Sequence, residues 1–546
     1  MTRTSVIASL AAVGAAVACR AVDAAVVDAS DAAYPSTDDG ALDAEAFAID
    51  AHDEVVSAAR AALDAGLYDG GYIGAASMQT SVLSHMEWPD ADGGQKEAGV
   101  VRLGYLRYGA KVAAFTEPFA NDDCREGWYE LVSGGYVCGK YATFDLKDPR
   151  VRLAPAPPNL AAPMPYRYGY SLAHGTPLYR RVLSIEDRKK YEPWLVPPPA
   201  VEKKDDVASD ENAEPAPSAS ASAPPPMPDA SVPWFMRERD GGRPSVTLDD
   251  LHGRGVLVRR MMRGFYLALD RDFRAAHARW WRTTAGFAVP YERVGLQPAA
   301  SDFHGSWIPY TDGSAEPNGS AALITSSFAV KYSVDLEKKK VTWTAPAPRL
   351  TAVALSGDPV LIGGVEYQAT AHGFWIRLLD AMIVAAPELP QGGPANEKWI
   401  DVDVTRQLLV AFEGARPVYM TLISSGRRNP NDPEKDYPTP PGAYRIREKH
   451  VTAMMDGDVA ADGLYSIEDV PWVMYFQGSY ALHAAFWHTS FGHTRSHGCV
   501  NMSPIDAREI FLWSEPHLPA GWHGVYATEA SPGTRVVVHE QPQKKR

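Results

Sequence analysis

The sequence predicts a mainly β protein of several domains, in which a β-rich carboxyl-terminal domain carries one short helix after a cysteine motif and follows small β-barrel modules. Short runs that alternate apolar and polar residues, such as Trp399-Ile400-Asp401-Val402-Asp403-Val404, are separated by Gly and Pro turns over much of the chain. The chain has 546 residues and a hydrophobic content of 45%. It is therefore globular and too long for one core, and we expect about three or four domains.

The charge balance excludes one class of partner. The formal net charge is −14 at pH 7. Proteins that bind nucleic acid without sequence preference need a basic surface that releases phosphate counterions. We therefore expect no nucleic-acid partner.

The amino terminus has the pattern of an export signal at residues 1–19. Arg3 supplies a positive charge, an apolar or small-residue run follows, and Ala16-Val17-Ala18 is a small-residue cleavage pattern. The run is shorter than the roughly 20 residues that cross a bilayer. An alanine-rich surface helix is the alternative. Export predicts a location in the periplasm or cell envelope.

Cys19 follows the cleavage pattern directly. The segment Ala16-Val17-Ala18-Cys19 resembles a bacterial lipoprotein signal, in which the cysteine is lipidated, although such signals usually have Leu at the first position. Lipidation of Cys19 is left open. If it occurs, it anchors the protein to a membrane that the chain does not span.

Residues 20–95 are rich in Ala and Asp. We expect this segment to be partly helical or disordered, with a helix within residues 44–67, and we assign it no role.

Residues 96–195 are predicted to form a small β-module. Gly127-Trp128-Tyr129 and Gly134-Gly135-Tyr136-Val137 are strand signals with Gly turns, and they resemble strands of bacterial SH3-like wall-associated modules. Cys124 and Cys138 flank this hairpin, and in an exported protein they are candidates for a disulfide that would contribute about 3 kcal/mol. Two buried free thiols are the alternative.

Residues 196–232 have the composition of a linker, because Pro, Ser, Ala and charged residues leave too few apolar side chains to order the segment. After it, residues 233–390 repeat the pattern of aromatic strands and Gly turns, as in Trp280-Trp281 before Gly286-Phe287. We predict further small β-modules there, in which the aromatic side chains form cores.

Residues 395–540 carry a series of motifs. A strand ends at Ser424-Ser425-Gly426, a Thr439-Pro440-Pro441-Gly442 turn follows, His483 ends a later strand, and Ser496-His497-Gly498-Cys499-Val500-Asn501 comes after it. This order resembles the L,D-transpeptidase catalytic domain, the YkuD family of peptidoglycan cross-linking enzymes, from about residue 398 to 538. Ser503 and Pro504 then predict the start of a helix, and Gly524-Val525-Tyr526 a further strand of the domain.

The resemblance assigns the nucleophile to Cys499 and the general base to His483. A free thiol is only a few per cent thiolate at neutral pH, so an imidazole that takes its proton makes it a competent nucleophile. The resemblance also implies that His483 is oriented through the backbone carbonyl of the next residue, Ala484. Many members of the family have Gly there, and a backbone contact survives the change.

The backbone N–H groups of His497, Gly498 and Cys499 are candidates to stabilise the oxyanion. Glycine at position 498 allows the chain and the substrate to approach closely. Ser496 and Asn501 are expected to support this loop.

The other histidines of the segment allow a different reading. His488 and His493, with His483, His497 and Cys499, would make a zinc-ligand set, but the spacings match neither a one-helix metal motif nor paired cysteine knuckles. We expect no metal and no cofactor, and we expect His488 and His493 in loops at the rim of a cleft.

The resemblance implies a reaction on peptidoglycan stem peptides. Cys499 would attack the carbonyl of the third stem residue, release D-Ala, and pass the acyl group to an amine of another stem, which makes a 3–3 cross-link, or to a protein. Carbapenem acylation of Cys499 is also implied. The alternatives are a thiol hydrolase of the same fold and a non-catalytic wall-binding adaptor, and the oligomeric state is left open.

Overall fold

The computed structural model describes residues 54–89, 99–196, 233–235, 246–310, 319–385, 394–459 and 463–541. The predicted export signal with Cys19 and the predicted linker after Val196 lie outside these residues. The chain divides into two compact units, Met1–Ala154 with His517–Ser531, and Pro155–Pro516 with Pro532–Arg546. Within the described ranges, no helix has the length and apolar character needed to cross a membrane.

The first unit is a small β-structure. Residues 54–64 are helical, inside the range predicted for a helix. Short antiparallel strands follow, and Trp128 is fully buried among them. Its strands and second helix are Tyr72–Ala75, Gln79–Leu83, Arg102–Arg107, Lys111–Ala113, Phe119–Asn121, Cys124–Glu130, Tyr136–Cys138, Ala142–Thr143 and Gly524–Tyr526, with the helix Pro149–Arg152.

Cys124 and Cys138 form a disulfide in this unit, with their Cα atoms 5.9 Å apart. The strand register places Cys138 opposite Trp128, and both cysteines lie in a buried cluster around that ring. The bridge closes a short loop, for which loop closure predicts a stabilisation of about 3 kcal/mol. The SH3-like description of this module stays a prediction.

One strand of the first unit comes from near the carboxyl terminus. Gly524–Tyr526 pairs antiparallel with Arg102–Arg107, so it joins the strands of the first unit, although it also lies within the residues expected for the carboxyl-terminal domain. The two strands lie so close that a Cβ at Gly104 would be 2.2 Å from the Gly524 carbonyl oxygen. Trp522, just before the strand, is buried and donates its Nε1–H to Ser133 Oγ at 3.0 Å. A three-residue strand has too little pattern to specify its partner.

The second unit begins with a β-module of residues 155–196 and 246–297, which we call the middle module. Thr176–Tyr179 pairs antiparallel with Leu257–Met261, although the predicted linker lies between them in sequence. The boundary expected at residues 196–232 therefore falls inside one module, because Pro-rich composition reveals an insertion but not which strands pair around it. The strands and helix of the module are Arg167–Ser171, Thr176–Tyr179, Leu257–Met261, Tyr266–Ala275, Ala278–Thr283, Ala288–Pro290 and Val294–Leu296, with the helix Ile185–Lys189.

Trp280 and Trp281 are buried in the middle module, as expected for core residues. A seven-stranded sheet follows the module in the chain. Its strands are Ala321–Ile324, Val330–Asp335, Lys340–Pro346, Ala352–Ile362, Val365–Thr370, Trp375–Arg377 and Ala381–Val384. Short 3₁₀ helices in the second unit are Pro193–Leu195, Asp249–Leu251, Tyr291–Arg293, Leu378–Asp380 and Pro433–Lys435.

The carboxyl-terminal domain has two groups of strands. In the first, Lys398–Asp403 pairs antiparallel with Leu408–Glu413 and parallel with Arg535–His539. The remaining strands of this sheet are Ser306–Trp307, Arg416–Leu422 and Gly442–Arg445. The second group comprises Glu448–Val459, Gly463–Gln477, Tyr480–Ala484 and Val500–Met502.

The helix Pro504–Trp513 follows the cysteine motif, as predicted. Ser503 caps it, since its Oγ accepts the Asp506 N–H at 3.1 Å, and Pro504 occupies the first turn. At the other end, the buried Lys449 ammonium donates to the carbonyls of Phe511 and Ser514, both at 2.6 Å. These contacts fix the end of the helix to the strand Glu448–Val459. The fold is mainly β, with this short helix in the catalytic domain.

Candidate active site

A cavity of about 720 Å³ opens in the second unit, and both His483 and Cys499 line it. His483 lies in the strand Tyr480–Ala484, which runs parallel to Val500–Met502 with His483 opposite Asn501. Cys499 immediately precedes that second strand. Parallel pairing therefore places the predicted base beside the segment that carries the predicted nucleophile, two residues from it in register.

Cys499 is half-buried and is the one free cysteine among the described residues. Its Sγ lies 3.7 Å from the Ser479 carbonyl oxygen. Burial raises the pKa of the thiol to about 11, although a backbone hydrogen bond at Ala481 opposes this shift. At neutral pH, Cys499 is therefore a thiol.

His483 is buried, and its Nδ1 lies 3.0 Å from the Ala484 carbonyl oxygen. A carbonyl only accepts, so Nδ1 carries the proton and Nε2 has the lone pair that can take a proton. Burial lowers the pKa of His483 to about 4, which the bond to Ala484 partly opposes. The ring stacks on Trp487 with centroids 5.9 Å apart. The Cys499 thiol and the His483 imidazole are thus both uncharged at neutral pH.

This protonation state predicts how the rate of Cys499 alkylation depends on pH. We expect alkylation of the Cys499 thiol by iodoacetamide to rise continuously from pH 7 towards the thiol pKa of about 11, without an inflection near pH 6.5. Intact-mass measurements at each pH, with circular dichroism to verify folding, give this profile. A plateau at neutral pH with an inflection in the acid range would instead indicate a thiolate–imidazolium pair.

The same two groups set the sign of the pH dependence of stability. The folded-state pKa of His483 lies below the ordinary value of 6.5. The contribution of the neutral ring to the free energy of unfolding is therefore lost as pH falls from 6.5 towards 4. The folded-state pKa of Cys499 lies above 9.0, so its contribution is lost as pH rises from 9 towards 11. For these groups, the free energy of unfolding is highest between about pH 6.5 and 9.

The loop before Cys499 is held by Ser496. The Gly498 N–H donates to Ser496 Oγ at 3.1 Å, and the Ser496 hydroxyl donates to the Cys499 carbonyl oxygen. The Gly498 N–H, one of the three predicted oxyanion donors, is therefore engaged in this structure. His497 is exposed, stacks on Tyr465 with centroids 5.6 Å apart, and lies 2.8 Å from Arg427 Nη2.

Thr439 is a site residue that the sequence reasoning missed. Its Oγ1 accepts the Gly426 N–H at 2.9 Å and donates to the Gly498 carbonyl oxygen at 2.7 Å. The side chain is buried. It therefore joins the Ser-Ser-Gly strand end to the cysteine loop. The Thr-Pro-Pro-Gly motif is the available signal in the sequence, but by itself it predicts only a turn.

Thr439→Val is expected to lower the free energy of unfolding by about 2 kcal/mol, because Val keeps the shape and removes both hydrogen bonds. We also expect the rate of Cys499 acylation by a carbapenem to fall about tenfold through misplacement of the loop. Chemical unfolding and intact-mass kinetics measure the two effects. Thr439→Ser retains the hydroxyl and should restore both, whereas a Val variant acylated at the parent rate would contradict this role.

Gln407, which is distant in sequence, also supports the Ser424-Ser425-Gly426 strand end. Its amide accepts the Ser425 N–H at 2.8 Å and donates to Ser425 Oγ at 2.6 Å. Next to it, Ser424 and Asn501 exchange two backbone hydrogen bonds of 2.9 Å. These contacts connect the first sheet with the strand after Cys499. No local sequence signal marks Gln407.

His488 and His493 lie in different places. His493 is exposed and does not line the cavity. His488 is buried instead of lying at the rim, with its Nδ1 accepting the Ser490 N–H at 3.3 Å and its Nε2 lying 3.0 Å from the Asn501 amide. Burial lowers the pKa of His488 to about 4, so the neutral ring carries its one proton on Nε2. The Asn501 atom at this distance is Nδ2, while Asn501 Oδ1 is buried without a hydrogen-bond partner among the described residues. Exchanging the two amide atoms lets Asn501 Oδ1 accept the Nε2–H of His488.

One family model and several solved structures are similar to part of this chain. Residues 397–538 match the family model of the L,D-transpeptidase catalytic domain, YkuD. No curated protein matches the chain significantly. Similar solved structures include the catalytic domain of the E. faecium L,D-transpeptidase, with 24% identity over 27% of this chain and 100% of that chain and a TM-score of 0.21. The Xylanimonas cellulosilytica L,D-transpeptidase has 24% identity over 28% and 64%, with a TM-score of 0.20.

The L,D-transpeptidase from Mycobacterium smegmatis is also similar, with 19% identity over 44% of this chain and 96% of that chain and a TM-score of 0.21. The chain spans 55% of the Ldtfm–avibactam carbamoyl enzyme. The carboxyl-terminal residues 397–538 of this chain belong to the YkuD family of L,D-transpeptidase catalytic domains.

Proposed function

We propose that this chain is an exported peptidoglycan L,D-transpeptidase in which Cys499 is the nucleophile and His483 the general base. The observation that carries the proposal is the common cavity of the two side chains, in which the Ala484 carbonyl holds His483 Nδ1–H and leaves Nε2 to accept a proton. The family of the domain supports the reaction type.

In the proposed acylation step, the Cys499 thiol gives its proton to His483 Nε2 as Sγ bonds to the carbonyl carbon of the third stem residue. The oxyanion forms near the backbone N–H groups of His497, Gly498 and Cys499, and Gly498 becomes a donor only when its bond to Ser496 opens. Collapse breaks the peptide bond, and D-Ala leaves with the proton from His483. A thioester remains on Cys499.

In the second step, an amine of another stem or of a protein attacks the thioester. His483 takes a proton from this amine and returns it to the departing Cys499 sulfur, so the resting site is restored. The product is a 3–3 cross-link or a protein attachment. Water in place of the amine would give hydrolysis.

Acylation by β-lactams belongs to the same proposal. One similar structure is described as the E. faecium catalytic domain acylated by ertapenem. We propose that a carbapenem likewise acylates the Cys499 sulfur of this chain. Export and a cell-envelope location are also proposed, with lipidation of Cys19 as a variant; the residues that bear on them lie outside the described ranges.

Incubation of the purified chain with tetrapeptide-bearing muropeptides, followed by mass analysis, tests the function. We expect dimers that have lost D-Ala. Tripeptide monomers would favour the hydrolase, and unchanged material would favour the wall-binding adaptor. Cross-linking by a Cys499→Ala variant at the parent rate would exclude the thiol mechanism.

A further inference from the structure

The middle module contributes directly to the wall of the cavity that contains Cys499. Gly264 and Tyr266, from the start of one of its strands, line this cavity together with His483. The backbone of Tyr266 pairs in parallel with Ile467. Ile467 lies in the strand Gly463–Gln477, which pairs antiparallel with Glu448–Val459; we call these two strands the hairpin. The module is thus hydrogen-bonded to the catalytic domain at the point where both form the wall.

The middle module also holds the loop that follows the general base. Phe486 is buried between Tyr168, with ring centroids 4.4 Å apart, and Tyr266, with centroids 5.3 Å apart. Gln297 Nε2 donates to the Phe486 carbonyl oxygen at 3.1 Å. Trp487 follows Phe486 directly and stacks on His483. The contacts of Phe486 therefore also restrain Trp487 beside the predicted base.

A third set of contacts fixes the hairpin strand Gly463–Gln477, which also lines the cavity. Arg259 of the middle module donates to Ser466 Oγ at 3.0 Å and to the Glu468 carboxylate at 3.3 Å, and both pairs are buried. Thr284 donates to Asp469 Oδ2 at 2.5 Å. Paired buried charges require accurate placement, so the module and the hairpin are held in one arrangement.

We infer that Tyr266 is a substrate-positioning residue, which packs against the peptide stem of a muropeptide. This inference rests on the proposed function. Tyr266 lies on the cavity with its ring 6.5 Å from Trp487, while Tyr465 and Tyr475 from the hairpin line the same space. Flat aromatic side chains give large contact area at little entropic cost, as an extended peptide requires.

Binding of a tetrapeptide muropeptide to the Cys499→Ala protein tests this role without any turnover. In that background, Tyr266→Ala is expected to raise the Kd about tenfold, whereas Tyr266→Phe keeps the ring and the parent Kd.

Tyr170→Ala is the matched control, because Tyr170 is a half-buried tyrosine of the same module whose ring lies 6.0 Å from Tyr266 but does not line the cavity. It should leave the Kd unchanged. An unchanged Kd in Tyr266→Ala, or an equal loss in both tyrosine variants, would overturn the inference. Muropeptide binding that depends on Tyr266 in a protein that forms no cross-links would reject the proposed function alone, and absence of muropeptide binding would reject both.

Discussion

Replacing Cys499 with alanine is expected to abolish covalent acylation and to lower muropeptide turnover by at least about 10³-fold. The sulfur atom forms the bond to the substrate in the proposed mechanism, so its removal leaves no site for the acyl group. Among the described residues the other two cysteines are joined in a disulfide and cannot substitute. Intact-mass analysis after exposure to ertapenem should give one adduct on the parent and none on the variant.

Cys499→Ser is the appropriate companion variant. A hydroxyl of similar size keeps the local packing, but it is a much weaker nucleophile than a thiol beside the same imidazole, so acylation should be very slow. Thermal unfolding of both variants should lie close to that of the parent, which separates loss of chemistry from loss of fold. An ertapenem adduct on the alanine variant would mean that another residue is the nucleophile.

The features that the sequence predicted correctly are local. The cap at Ser503 with Pro504 in the first turn depends on neighbouring residues, and so does the mainly β pattern of the catalytic strands. His483 and Cys499 each lie in a short motif, and the structure places both on one cavity. Their roles remain proposals.

The features that were missed depend on contacts between distant parts of the chain. Thr439 and Gln407 act through hydrogen bonds to Gly498 and Ser425, and single hydrogen-bonding residues leave no periodic trace in a sequence. The sequence around His488 predicts a loop, and only the folded structure shows that the ring is buried next to Asn501. These contacts arise from tertiary packing, which local patterns do not encode.

The domain organisation was only partly predictable for the same reason. A Pro-rich stretch signals weak order, yet it does not distinguish a linker between domains from an insertion within one. Pairing of Thr176–Tyr179 with Leu257–Met261 decides in favour of an insertion. The contribution of Tyr266 to the cavity follows from that assembly and could not be inferred from composition.

Gly498→Ala is expected to lower the rate of Cys499 acylation about 100-fold and the free energy of unfolding by about 2–3 kcal/mol. Gly498 has a φ of +114°, which L residues rarely adopt, and a Cβ there would lie 2.4 Å from Tyr480 Cε1. Either the tyrosine or the loop has to move, and the loop carries the thiol. Intact-mass kinetics with ertapenem and chemical unfolding measure the two losses.

Gly478→Ala is the matched control for this substitution. Gly478 also has a positive φ, +51°, but no atom lies within 4 Å of a Cβ built there. Gly478→Ala should lower the free energy of unfolding by about 1 kcal/mol, because an alanine in the left-handed region is less favourable by about that amount. The rate of Cys499 acylation should be unchanged. Adding Tyr480→Ala to Gly498→Ala removes the clash but not the unfavourable φ, so we expect only partial recovery. Full recovery would attribute the effect to the clash alone, whereas a Gly498→Ala protein acylated at the parent rate would show that the glycine is not required at the nucleophile.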